Sequence, residues 1–175
     1  MVYNFDEHIE RRDPVSVKWA IYPEDVLPLW VADMDFRSPN EVIEALQQRV
    51  DHGVFGYHFD APGLREVLVE RYRQRHNMQI APENLVFTPG IVATLNLITR
   101  AFHHPGEGVL VQTPIYPPFL SAPKNGGKQL QTAEMALTFD GQRMRYEIDF
   151  DRFEAAITPE TKMFILCNPY NPVGR

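Results

Sequence analysis

Three short apolar runs in this chain each end directly in a proline-bearing turn, and this recurrence constrains the fold more than any other feature. Leu85-Val86-Phe87-Thr88 runs into Pro89-Gly90, Gly108-Val109-Leu110-Val111-Gln112 into Thr113-Pro114-Ile115-Tyr116-Pro117-Pro118, and Lys162-Met163-Phe164-Ile165-Leu166-Cys167 into Asn168-Pro169-Tyr170-Asn171-Pro172. Proline has no amide to donate to a ladder, so a strand stops where it appears. The first two turns lead into helical patterns, an amphipathic one over 91–102 and a short one over 119–123, and a further strand follows at 128–133. Strands alternating with helices predict an α/β sheet whose ligand site lies at the carboxyl ends of its strands.

The flanking segments fill in the organisation. Residues 1–37 show no sustained period and read as an extended arm. Ser38-Pro39-Asn40-Glu41 combines a capping residue, proline at the first helical position and a glutamate three residues after the cap. The helix this predicts carries Val42, Ile43, Leu46 and Val50 at helical spacing and stops at Gly53, which suits a left-handed end. An aromatic-rich loop covers 54–62, and 63–77 predicts a second helix with Leu64, Val67, Leu68 and Tyr72 on one face. Asp140-Gly141 reads as a tight turn, and 149–157 as a helix presenting Phe150, Phe153 and Ile157. The run 162–167 has the near-continuous apolar character of a central strand covered on both faces. Because the chain stops one turn later, the expectation is a piece of a longer protein that does not fold stably alone.

Composition narrows the function. The 175 residues carry 17 basic and 23 acidic side chains, a net charge of −6. That leaves no electrostatic footprint for a phosphate backbone, so nucleic acid is not an expected partner. No run approaches the roughly 18–20 apolar residues of a membrane span, and the charged amino terminus lacks a signal-peptide core, so a cytoplasmic protein is expected. The one cysteine, Cys167, forms no internal disulfide and no thiolate metal site. No histidine has a histidine partner at i, i+4, and no metal is expected.

Several residues stand where chemistry could be done. A glycine turn between strand and helix at Gly90-Ile91-Val92 points backbone amides and the positive helix end at one spot, which suits an anion; an ordinary β-turn-α connection is the alternative. Neither GxxxxGK nor GxGxxG occurs, which argues against a nucleotide triphosphatase. Tyr116 sits in a proline-stiffened loop that could present its ring flat to a planar ligand, or simply pack on the core. Asn168 and Asn171 are held extended by their prolines, which aims an amide or merely makes a turn. Asp33 and Asp35, two apart, would lie on one side of an extended segment as a paired acid or metal site, or on a half-buried strand edge.

Taken together and in this order, these loops resemble the amino-terminal half of a fold-type I pyridoxal-phosphate enzyme of the aminotransferase class I/II superfamily, in its cystathionine β-lyase (C–S lyase) subgroup. The resemblance runs through Leu29-Trp30-Val31-Ala32-Asp33-Met34-Asp35-Phe36, Gly53-Val54-Phe55-Gly56-Tyr57, Pro62-Gly63-Leu64-Arg65, Thr88-Pro89-Gly90-Ile91-Val92, Pro114-Ile115-Tyr116-Pro117-Pro118-Phe119 and Cys167-Asn168-Pro169-Tyr170-Asn171-Pro172-Val173-Gly174-Arg175. It implies a PLP-dependent transferase-like three-layer α/β/α sandwich with a mainly parallel sheet. Residues 1–45 would belong with the small domain, and 46–175 would form the first half of the large one.

The resemblance also assigns roles. Gly90, Ile91 and Val92 would hold the cofactor phosphate by their amides, Tyr116 would stack on the pyridine ring and Asn171 would bond its phenolic oxygen. Tyr57 would reach the cofactor of a partner subunit in a homodimer, and Ala32 would lie near the substrate carboxylate. The pyridine-pairing aspartate, the Schiff-base lysine and the carboxylate-binding arginine would all lie beyond Arg175, so this chain alone would hold no catalytic residue and be inactive. The complete enzyme would eliminate a thiol from a sulfur-containing amino acid, leaving pyruvate and ammonia. An aminotransferase is one alternative; a non-catalytic interaction or regulatory protein that keeps the fold is another.

Overall fold

The structure, a computed structural model, describes residues 3–12, 15–57, 61–101 and 104–174. These fall into two compact units, Met1–Pro62 and Gly63–Arg175.

The first unit is held by charge and aromatic contacts more than by burial. Its elements are a single helical turn, α1 (Val17–Ala20), and one long helix, α2 (Asn40–His52). Among its described residues only Lys18 and Pro28 are buried. The arm predicted at 1–37 is otherwise irregular, but it is tied down. Arg11 reaches Asp33 Oδ2 and Asp35 Oδ1 at 2.7 Å each and donates to Met34 O at 2.9 Å. Lys18 Nζ donates to Asp35 Oδ2 at 2.8 Å and to Asp33 O at 2.9 Å, and Trp19 Nε1 donates to Asp35 Oδ1 at 2.9 Å. Helix α2 begins one residue later than the capping pattern predicts: Pro39 is the cap and no side chain serves it. Glu41, predicted to reach back as part of that cap, accepts a bond from the Tyr3 hydroxyl at 2.9 Å. The other end follows the sequence, with Gly53 left-handed at φ 73°.

The second unit holds a parallel sheet. Its elements are α3 (Leu64–His76), a 3-10 turn (Pro82–Asn84), α4 (Ile91–Ala101), β1 (Gly108–Thr113), α5 (Pro118–Asn125), β2 (Gln129–Glu134), a hairpin of β3 (Ala136–Asp140) and β4 (Arg143–Glu147), α6 (Phe150–Ala155) and β5 (Thr161–Phe164). Phe102, predicted as the last residue of α4, lies outside the described residues, as does Arg175 at the end of the last motif. The strand order is β2-β1-β5, with both pairings parallel. Val109 and Val111 of the middle strand are essentially inaccessible and form the core with Leu95 of α4, Phe119 and Ala122 of α5, and Ile165, Cys167 and Tyr170, while the equally buried Leu110 belongs to the opposite face. Helices α4 and α5 meet closely: the buried Thr99 hydroxyl donates to Ala122 O at 3.1 Å, and a Cβ on Gly126 would come within 3.1 Å of Thr99 O.

Two expectations are corrected. Residues 85–88 form no strand: Val86 and Phe87 are exposed, and Arg65 donates to Leu85 O while its guanidinium stacks 4.9 Å above the Phe87 ring. A strand needs a ladder partner, and among the described residues this segment has none. The hairpin β3–β4 surrounds the Asp140-Gly141 turn, which was legible, but its strands were not. Among the described residues β5 is an edge of the three-stranded sheet, with Ile165 and Cys167 buried while Phe164 and Leu166 stay 43% and 56% exposed.

Candidate functional site

The strand order makes β1 a switch point. From β1 the chain crosses by α5 to β2 on one side, then returns by α6 to β5 on the other. The loops leaving the carboxyl ends of β1 and β5 therefore diverge and leave a crevice between them, the usual position of a ligand in an open α/β sheet. A cleft of about 460 Å³ lies there. Ile91 and Thr94 line it from α4, Tyr116 and Phe119 from the segment after β1, and Ile165, Cys167, Asn168 and Asn171 from the segment after β5. Of the residues singled out in the sequence, the structure thus brings Ile91, Tyr116, Asn168 and Asn171 to one cavity, while Gly90 and Val92 do not line it.

The helix end above the cleft is built by Gly90. Its φ of 106° is one that residues with a side chain rarely adopt, and a Cβ there would meet no atom within 4 Å, so the glycine leaves the space ahead of the helix bare. Of the three amides expected to face an anion, that of Gly90 is taken: it donates to Thr88 O at 2.8 Å. The first bond of the helical ladder runs from Thr94 N–H to Gly90 O at 3.0 Å, so the amides of Ile91 and Val92 precede it and have no acceptor within the helix. The Thr94 hydroxyl, which sequence reasoning passed over, also donates to Gly90 O at 2.9 Å and is paired with the Thr88 hydroxyl. Its i−4 spacing from Gly90 was the available signal.

Opposite the helix end, Tyr116 is 38% exposed, with its backbone N–H donated to Asn171 O at 3.0 Å. Tyr170 is buried and its hydroxyl donates to Gln112 O at 2.8 Å. Burial, with a smaller contribution from the nearby Cys167, pushes the Tyr170 phenol up to about 12. Cys167 Sγ accepts the Asn171 N–H at 3.4 Å. The cleft walls are thus largely aliphatic and aromatic, with a few polar groups and a helix amino terminus, which fits a planar aromatic ligand bearing an anionic group.

Ala32 and Tyr57 belong to the first unit, and both are exposed. Ala32 follows Val31, whose φ of 50° is unusual for a β-branched residue. Asp33 and Asp35 do not form an acid pair open to a ligand: Arg11, Lys18 and Trp19 occupy them, and the Lys18 bond foremost holds the Asp35 carboxyl below its ordinary value.

Comparison with known proteins identifies the family. The chain is 40% identical to cystathionine beta-lyase PatB of Bacillus subtilis (strain 168), over 98% of its own length and 45% of that protein's. Its structure superposes on that of OvoB with a TM-score of 0.81 at 44% identity, covering 99% of this chain and 45% of the other. It superposes equally on the PLP-bound C-S lyase from Staphylococcus hominis, with a TM-score of 0.81 at 32% identity, covering 100% and 45%. The chain thus spans about 45% of the length of these relatives and shares their three-layer α/β/α architecture with a mainly parallel sheet. The family model for aminotransferase class I and II matches residues 24–175, which takes in the sheet, the cleft and the last part of the arm, and the chain belongs to that family.

Proposed function

We propose that this chain carries the cofactor cleft of a pyridoxal 5'-phosphate-dependent C–S lyase of the cystathionine β-lyase type. The observation that carries this reading is the convergence of the α4 amino terminus, the Tyr116 ring and the Asn171 amide on one cleft at the switch point. The donor set fits the group. The Ile91 and Val92 amides would hold the phosphate, Gly90 would leave them accessible, the Tyr116 ring would cover one face of the pyridine and Asn171 would bond its phenolic oxygen. Bound there, the cofactor supplies an electron sink for charge developing at the substrate Cα. The chain's own part is to bind and orient. The apolar walls, Phe119 and Ile165 among them, exclude water from the ring, and the helix end balances the phosphate charge.

The same proposal covers the whole enzyme. The Schiff-base lysine would be supplied by sequence beyond Arg175, without which this chain is expected to be inactive. Residues 1–45 would belong with the small domain and 46–175 with the large one. The substrate would be a sulfur-containing amino acid with Ala32 near its carboxylate, the assembly a homodimer with Tyr57 serving the partner's cofactor, and the location cytoplasmic. Among the described residues no helix is long and apolar enough to cross a membrane.

The test uses a complete polypeptide containing this sequence, incubated with PLP and L-cystathionine. Release of thiol, pyruvate and ammonia in equal amounts supports the reading. The 2-oxo acid of the intact substrate, formed only with an amino acceptor, would assign transamination. Cofactor bound with neither product would assign a non-catalytic role.

A further inference from the structure

The two loops that frame the cleft leave adjacent strands, and the ladder between those strands ends early. Gly108 N–H donates to Glu160 O at 2.7 Å and Ile165 N–H to Leu110 O at 3.0 Å, so the even-numbered residues of β1 face β5. Odd-numbered positions face β2, as Met135 N–H to Thr113 O shows at 2.9 Å. The next carbonyl on the β5 side is that of Gln112, a residue only 3% exposed. In a continued parallel ladder it would take the backbone N–H of residue 167. It takes the Tyr170 hydroxyl at 2.8 Å. A side chain from the loop thus replaces the missing rung, which lets β1 and β5 part at the cleft without stranding a buried carbonyl.

The same loop is fastened a second time. Tyr116 N–H donates to Asn171 O, so the backbone of the residue with the candidate stacking ring is bonded to that of the residue with the candidate amide. Tyr170 itself, 7% exposed and adjacent to Asn171, belongs to the core cluster. We propose that Tyr170 is a positioning residue: by capping Gln112 O where the strands separate, it fixes the distance between the Tyr116 ring and the Asn171 amide and so sets the grip on the cofactor ring. The proposal rests on the cofactor reading of the cleft.

The experiment is a double-mutant cycle in the complete polypeptide, read as the dissociation constant for PLP and as the pH midpoint of the bound cofactor's absorption transition. Tyr170→Phe should weaken PLP about 5- to 20-fold and move the midpoint in the same direction as Asn171→Ala. In the Asn171→Ala background it should change the affinity less than about 2-fold. Replacing Tyr170 by 4-aminophenylalanine, which keeps a donor at the same place, should restore wild-type behaviour. Should the phenylalanine variant not fold, 4-aminophenylalanine against 4-fluorophenylalanine carries the same comparison at near-equal bulk. Equal losses in both backgrounds, or an unmoved midpoint, would reduce Tyr170 to a core residue and overturn the inference. Wild-type uptake of PLP with an unchanged Tyr170→Phe would overturn it alone. A wild-type polypeptide that takes up no PLP would overturn the cofactor reading as well.

Discussion

Tyr116 and Tyr170 sit on two sides of the same loop contact with opposite exposures, and the proposed cofactor cleft would give them different parts. The half-exposed Tyr116 ring offers a face, so in the complete polypeptide Tyr116→Ala should weaken PLP retention by about 1–3 kcal/mol, by analogy with aromatic stacking on bases. Tyr116→Phe should be mild, and equilibrium dialysis against PLP measures both. Tyr170 instead offers a hydroxyl to the interior. Its folded-state phenol lies near 12 against about 10 for a free tyrosine, so the neutral form is favoured by folding. Its contribution is therefore full below pH 10 and is lost as pH rises through about 12. Wild-type stability to urea should fall more steeply than that of Tyr170→Phe over this range, by up to about 2–3 kcal/mol. Parallel profiles would show that Tyr170 is not the group that titrates.

At the scale of elements, the helix start at Gly90 is the most exposed to substitution. Gly90→Ala places a Cβ at φ 106°, so the cost comes from the backbone and not from crowding. About 1–2 kcal/mol is expected from such strain, measurable by chemical unfolding, with a parallel loss of PLP affinity as the helix end shifts. The elements that were legible in the sequence are those with local causes. Gly53 ends α2, Asp149 caps α6 by accepting Arg152 N–H at 3.0 Å, and proline stops β1. Those that were not depend on partners. Residues 85–88 have a strand's composition but no ladder, whereas 136–140 and 143–147 pair with each other despite carrying Arg143, Arg145 and Glu147, which blur the apolar alternation. The site followed the same rule. Tyr116 and Asn171 were legible because proline stiffens their loops, and Thr94 was signalled only by its i−4 spacing from Gly90, while Cys167 enters the cleft through packing that no spacing announces.

At the scale of the whole molecule, the proposed homodimer makes the exposed Tyr57 a residue that acts outside its own subunit. Mixing two inactive full-length variants, one altered at Tyr57 and one lacking the Schiff-base lysine, should restore part of the activity, because one site in each mixed dimer regains both groups. No recovery in demonstrably mixed dimers would place Tyr57 within its own subunit. The clamp of Arg11 and Lys18 on Asp33 and Asp35 has a different consequence. One unit is closed by ion pairs whose carboxylates are exposed to solvent and the other by an apolar sheet core, so salt and urea should rank the two in opposite orders. In molar sodium chloride, protease should nick the chain between residues 11 and 35 while leaving the sheet uncut. Storage buffer would then decide whether a preparation keeps its arm seated.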